Sequence, residues 1–419
     1  MTESRGTLPS SFWRLWSGET LSMSGGQIAT IAIPLLAVQQ LDVGAVGMGV
    51  LAASASTAPL IFGLHAGVIA DSFSRKRVMI VCHALRAILI MTVVALIWAD
   101  ALTLPLLSLI VLAVGALELV FFSCLTAVIP GLVPKDRLDG ANSWVQGMEN
   151  TAEVVGPGIA GVIIGRLGMT GALIANVATY IAAGALAATL PKESRKMPEE
   201  RVHLLSGLRI IQRSHSLRGV AASSMFFNVF SGGFFALFIL FLSRSVTLDA
   251  MQIGYVGSLG GAGGLAGAAV ASKLIGVWGP GRILTLGYTV PGLGGLVIAA
   301  ASLTDGVLRW IVAGAGLAVW SGFTVILIIA GVGIYQRSVD DSQLGRLNAA
   351  MRFLTWGVEP FGALAAGLAA AYFGVVAVLV VFAIGCACAG MFGMLWGIHR
   401  YVYPDEGEDV DAELEPRVV

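Results

Sequence analysis

Seven ionisable side chains stand within long apolar runs of the sequence: Glu19, Arg86, Glu118, Glu149, Glu153, Arg352 and Glu359. In a membrane-spanning helix each such group costs about 2.5–3.5 kcal/mol on insertion scales, so it must face water, meet a partner or lose its charge. The chemistry open to these groups is proton uptake and release, or the holding of a charged ligand. Asn142, Gln146, Glu149 and Glu153 follow one another at steps of four, three and four, which puts them on one helical face. Further along, Asn348, Arg352, Thr355 and Glu359 repeat the pattern. Such a stripe can line an aqueous binding cavity. It can also be a hydrogen-bonded seam between bundles that never touches a ligand, with Arg352 as the cation facing an acid across it.

The elements that must position these groups are membrane helices. Of 419 residues, 57% are hydrophobic and only 12% charged, against about 25% charged in soluble domains. The formal net charge is zero and the acids crowd a tail from Asp405 to Glu415, so no nucleic-acid partner is expected. Cys82, Cys124, Cys386 and Cys388 lie in apolar runs without metal-ligand spacing and read as buried free thiols. No phosphate loop, nucleophile elbow or zinc motif is found. Neither metal nor cofactor is expected, and there is no catalytic candidate, so the chain reads as a non-enzyme. A polar leader runs straight into the aromatic belt Phe12 to Trp16, which fits a first span better than a cleavable signal.

On a ruler of about twenty apolar residues per span, six spans lie near Trp16–Gln39, Val46–Ala70, Val78–Trp98, Leu102–Leu132, Gly140–Gly165 and Gly171–Leu190. Six more lie near Ala221–Ser243, Ile253–Trp278, Ile283–Leu303, Leu308–Tyr335, Leu347–Tyr372 and Val375–His399. The expected units are an N-terminal bundle (1–190), a basic linker (191–218), a C-terminal bundle (219–400) and an acidic tail (401–419). Within the linker Leu204, Leu205, Leu208 and Ile211 recur at helical spacing opposite arginines, as in a helix lying on a membrane surface. Lysine and arginine gather at Arg75–Arg77, Lys135 with Arg137, the linker, Lys273 with Arg282, and Arg337 with Arg346. The other side keeps only Arg166, Arg244 and Arg309, so the positive-inside rule places both termini in the cytoplasm.

Laying 137–168 over 343–374 without a gap pairs Leu138 with Leu344, Asn142 with Asn348, Glu153 with Glu359, Gly156 with Gly362, Ala160 with Ala366, Gly161 with Gly367 and Gly168 with Gly374. Apolar coincidences are cheap in membrane sequences, whereas a paired Asn and a paired Glu are not. The fifth and eleventh spans therefore read as equivalents in two parallel halves, the plan of a rocking secondary transporter.

The turn from Gly67 to Arg77 resembles the signature loop of the major facilitator superfamily, G-x-x-x-D-x-x-x-R-[KR], with Gly67, Asp71, Arg75 and Lys76 in the diagnostic places. Ser72 and Ser74 depart from it, and the second-half counterpart near Lys273 has no acid. Ala152, Gly156, Pro157 and Gly161 resemble the family's antiporter motif, with alanine at two glycine positions; generic small-residue packing gives the same run. The resemblance implies an all-α membrane fold of twelve helices in two pseudo-symmetric six-helix bundles. It also implies a conformational latch at Asp71, Arg75 and Lys76 facing the start of the eleventh helix, and a cavity lined by helices one, four, seven and ten. On that architecture Glu118 is the first candidate for a proton or cation-binding carboxylate and Glu19 the second, with Arg86 also deep. Asn228, the phenylalanines at 226, 227, 230, 234 and 235, and Trp320 would give the cavity an aromatic lining.

The resulting expectation is a proton-coupled exporter of a small amphiphilic molecule in a bacterial inner membrane, similar to macrolide and siderophore exporters and acting as a monomer. A lipid or lysolipid transporter of the same fold, or a sensor that binds without transporting, shares these sequence features.

Overall fold

The computed structural model describes residues 8–134, 137–191, 204–339 and 341–401. The surroundings of Gly67 and the side chains of Asp71, Gln146, Glu149 and Glu153 lie outside the described part, as do the acidic tail from 402 and most of the basic linker.

The first half consists of α1 (Ser10–Gln39), α2 (Ala45–Ser72), α3 (Arg75–Trp98), α4 (Leu104–Leu132) and α5 (Leu138–Ala188). A short α6 (Leu204–Arg213) precedes the second half: α7 (His215–Leu240, prolonged by a π turn to Ser245), α8 (Ala250–Trp278), α9 (Pro280–Ala300), α10 (Leu308–Ser338), α11 (Asp341–Trp356), α12 (Glu359–Phe373) and α13 (Val375–Leu395). Among the described residues, eleven helical stretches are long and apolar enough to cross a bilayer. One of them is two passes, because α5 turns at Gly168, where φ is 71° and ψ is 174°. This makes twelve crossings, with α11 and α12 together forming the eleventh. Large apolar side chains such as Leu109, Ile181, Leu303 and Leu395 stay exposed on the outer faces. A water-soluble surface rarely carries so many; a lipid-facing one does.

The repeat read from the sequence has a backbone counterpart. Gly374, the partner of Gly168, has φ 83° and ψ 152° and likewise joins two antiparallel passes. That region is open essentially to glycine alone, so both positions need it.

The halves meet along two crossings, α5 on α8 and α2 on α12. At the first, a methyl group placed on Gly161 would stand 2.8 Å from both the Ala250 carbonyl oxygen and the Gly254 Cα. At the second, one placed on Gly367 would stand 2.8 Å from the Ala45 carbonyl oxygen and 3.0 Å from the Gly49 Cα. The same four roles recur under a two-fold exchange of the halves. Both crossings lie toward the end of the molecule where Arg244 of the second half donates to the Val38 carbonyl (3.2 Å) and to Asp42 (2.5 Å). The opposite end carries the basic turns.

Two boundaries differ from the sequence reading. α7 begins at His215, inside the stretch assigned to the linker. The eleventh span is broken after Trp356, because Pro360 has no amide hydrogen and its ring collides with the carbonyl four residues back. The first-half equivalent of Pro360 is Val154, and α5 runs through that position unbroken.

Candidate functional site

Between the halves lies a cavity of about 870 Å³, within the usual range for small-molecule sites. Its polar groups concentrate on the first half, where Glu19, Ser22, Gln27, Thr30, Arg86, Glu118 and Tyr180 of α1, α3, α4 and α5 stand among apolar residues such as Ile33, Leu51, Val114 and Phe122. The second half contributes mostly apolar groups, among them Phe235, Phe238, Ile239, Ile253 and Ala363, with Glu359 as its charged exception among the described residues.

The polar wall is organised around Arg86. Its guanidinium is buried (4% exposed) and lies over the Tyr180 ring, 4.3 Å from the centroid. Nη2 donates to Tyr180 Oη at 3.0 Å and to Glu118 Oε1 at 3.3 Å. The carboxylate of this pair is open to the cavity, its side chain 63% exposed, whereas the arginine is not. Burying an unpaired guanidinium is costly. The stacking and two acceptors compensate for it, and Glu118 keeps its remaining oxygen capacity for whatever enters. One turn away on α3, His83 Nε2 lies 3.3 Å from Glu19 Oε1.

Glu359 occupies the break in the eleventh span. It opens α12, faces the cavity, and packs against Gly232 of α7, where an added methyl would meet its Cα at 3.1 Å. A glycine is needed at that approach.

Other candidates fall elsewhere. Asn142 and Asn348 are exposed near the starts of α5 and α11. Arg352 is exposed with its guanidinium 4.7 Å over Trp356. Asn228 donates to the Thr355 carbonyl at 2.9 Å and so ties α7 to α11. Trp320 is buried behind the wall, stacked on Phe234 (4.8 Å) with Phe235 edge-on at 5.1 Å. Of the phenylalanines read from α7, Phe235 lines the cavity, while Phe226 and Phe230 pack on Phe392 and Phe382 of α13.

In the signature turn, Arg75 donates to the Ala127 carbonyl (2.8 Å) and Lys76 to that of Leu190, both in their own half. In the antiporter-like run, Pro157 lines the cavity, Gly156 accommodates Gln27, and Gly161 makes the α8 crossing.

Sequence reasoning missed His83 and Tyr180. The signal available was the spacing of His83 and Arg86, three apart on one face of an otherwise apolar helix; Tyr180 has no sequence neighbour that marks it.

Comparison with known proteins bears on this geometry. The sequence model described as Major Facilitator Superfamily matches residues 15–358. An uncharacterized MFS-type transporter, y4rN, of Sinorhizobium fredii is 26% identical over 247 residues, covering 58% of this chain and 59% of that protein. The multidrug efflux pump Tap of Mycobacterium tuberculosis is 28% identical over 154 residues, 35% of this chain and 36% of the pump. Both matches thus span less than two thirds of the relative's length. Among solved structures, a bacterial homologue of the iron transporter ferroportin, in an inward-facing state, superposes with a TM-score of 0.75 at 15% identity, over 93% of this chain and 99% of that one. The nucleoside transporter NupG gives 0.71 at 13% identity, over 93% and 99%. At these identities the likeness establishes the fold.

Proposed function

Since the chain belongs to the Major Facilitator Superfamily, we propose that it is a proton-coupled secondary transporter that exports a small amphiphilic molecule, of drug or natural-product type, by alternating access. The observation that carries this reading is the make-up of the cavity: the Arg86–Glu118 group and Glu359 stand within an extensive apolar lining drawn from both halves. A molecule with a polar head and an apolar body satisfies both kinds of surface at once, whereas a sugar or an inorganic ion would leave the apolar lining unused. The similarity to a multidrug efflux pump over part of the chain supports export, as does the antiporter-like run at Gly156, Pro157 and Gly161.

In this reading the basic turns face the cytoplasm of a bacterial cell and both termini lie there. The end closed by the glycine crossings and the Arg244–Asp42 contact is then the outer end, and the conformation is inward-facing. Substrate enters from the cytoplasm or inner leaflet, and Glu118, Glu153 and Glu359 are the carboxylates that exchange protons or hold it. Asp71, Arg75 and Lys76 latch the halves when the molecule turns outward. The chain acts by rearrangement, not by making bonds, and works as a monomer.

The cavity also suits a lysolipid, with its head at Glu118 and its chain along Phe235 and Phe238. One experiment separates the readings: uptake into everted vesicles under an imposed pH gradient, across cationic, neutral and anionic amphiphiles and lysolipids. Accumulation of a drug-like amphiphile that collapses with the gradient supports the exporter. Accumulation of lysolipid alone transfers the assignment, and binding without accumulation of any of them refutes transport.

A further inference from the structure

Three arginines of the second half gather at the end of the molecule that carries the basic turns. Arg218 lies in the first turn of α7, Arg282 in the first turn of α9, and Arg400 just beyond α13. One knot of chain brings them together. The Gly281 amide donates to the Tyr401 carbonyl at 3.2 Å, and a methyl on Gly281 would meet the Tyr401 amide nitrogen at 2.8 Å. Gly219, next to Arg218, lies where a methyl would stand 2.9 Å from the Trp396 Cβ, and the His215 and Trp396 ring centroids are 5.6 Å apart. All three arginines are exposed. Among the described residues none of them makes an ion pair.

Their placement is electrostatically adverse. A helix N-terminus carries the positive end of the dipole and favours carboxylates, whereas cations are favoured at the other end. α7 and α9 have no acid in the first turn and an arginine instead. Two helix N-termini and three guanidinium groups therefore build a positive surface that lacks a counter-charge in either first turn. The glycine contacts already hold the knot closed, so packing does not account for the arginines. The chain itself supplies the complement. It leaves the knot at Tyr401, and residues 402–419 carry seven carboxylates between Asp405 and Glu415 against one base, Arg417. Asp405 follows Tyr401 by four residues and stays within about 14 Å of it even at full extension. So short a tether holds the acids beside the arginines at an effective concentration on the order of millimolar.

We propose that the acidic segment 402–419 docks back on this surface, its carboxylates lying across Arg218, Arg282 and Arg400 and the N-terminal ends of α7 and α9. Docked there, it ties the starts of α7 and α9 to the end of α13. Seven acids outnumber three arginines, so the contact is a diffuse electrostatic one rather than a set of fixed pairs, and added salt weakens it. An anionic lipid headgroup has the same charge. The tail is preferred as the occupant because the arginines surround the point from which it departs, and it matches them in place and sign without a further component. The docking is independent of what the cavity carries.

The test uses the purified full chain, one copy per phosphatidylcholine nanodisc, with the photoreactive residue benzoylphenylalanine in place of Val410. Cross-linked peptides are identified by mass spectrometry. Cross-links are expected to residues 215–219, 280–283 and 396–401, and their yield is expected to fall several-fold between about 50 mM and about 500 mM salt. Arg218→Glu, Arg282→Glu and Arg400→Glu combined should remove them, and lysine at the seven tail acids in that background should restore them. Replacing the tail acids by their amides leaves α1–α13 unaltered in sequence and should also abolish the cross-links, so the test stands even where the arginine variant fails to fold. Cross-links that persist with the amide tail, or that fall elsewhere in the wild type, overturn the proposal. Their disappearance in nanodiscs containing phosphatidylglycerol assigns the surface to lipid headgroups, which also overturns it.

Discussion

The glycine crossings, rather than the ion pair beside them, are predicted to hold the closed end shut. Placing a methyl on Gly161 brings it to 2.8 Å from backbone atoms of α8, and backbone cannot rotate away as a side chain can. Overpacking of this kind costs about 1–3 kcal/mol. Because the strain exists only where the halves touch, it acts on the equilibrium between this conformation and the alternate one. A cost of about 2 kcal/mol shifts that ratio roughly thirty-fold. Gly367→Ala strains the equivalent crossing by the same route, and the two together are expected to add. Removing the ion pair with Asp42→Asn costs about 0–1 kcal/mol, because both partners are largely solvated. Spin labels on Gln40 and Thr247, one on each half, report the opening by pulsed dipolar spectroscopy. Gly161→Ala and Gly367→Ala should populate longer distances, Asp42→Asn much less so, and Gly147→Ala, which has open space around it, not at all. Unchanged distances in Gly161→Ala and Gly367→Ala, with both variants folded, would refute the reasoning, as would Asp42→Asn opening the molecule further than either.

Further outcomes follow from the same geometry. Neutralising Glu118 or Glu153 to Gln should abolish pH-driven efflux at normal expression; unchanged transport by both variants removes these carboxylates from the mechanism. Tyr180→Phe deletes one acceptor of Arg86 and leaves the ring stacking in place, so a loss of about 0.5–1.5 kcal/mol in thermal stability is expected, and a neutral effect would mean that the hydroxyl contact contributes nothing. Gly168→Ala and Gly374→Ala force a side chain into glycine-only backbone space at about 1–3 kcal/mol each. A lowered melting temperature in both tests the equivalence of the two turns.

Much of the fold was legible because membrane folding projects onto one dimension: apolar length, loop charge and a repeat suffice to count and pair the crossings. The pairing of Gly168 with Gly374 anticipated a shared backbone conformation that neither residue announces alone. The site was less legible, for two reasons. Helical periodicity gives direction around an axis but not depth along it. Asn348 shares a face with Glu359, yet eleven residues separate them, about 16 Å along a helix, so it lies toward the end rather than in the cavity. Contacts between helices are also invisible to spacing within one helix. Arg86 could be recognised as deep, but that Tyr180 and Glu118 would meet it depends on how α3, α4 and α5 pack. Pro360 marked the break after Trp356 only weakly, since Pro157 lies within an α5 that stays continuous.

That break has a mechanical consequence. α11 is fastened to α6, where Gly207 presses on the Arg346 carbonyl and Ala350, while α12 is fastened to α2 and α7 by glycine contacts. The eleventh span is thus a jointed rod, its first segment packed chiefly on α6 and its second on α2 and α7. Movement of α6 would swing α11 as a lever about the break, with the Asn228 contact to the Thr355 carbonyl at its near end. The carboxylate at the fulcrum is Glu359.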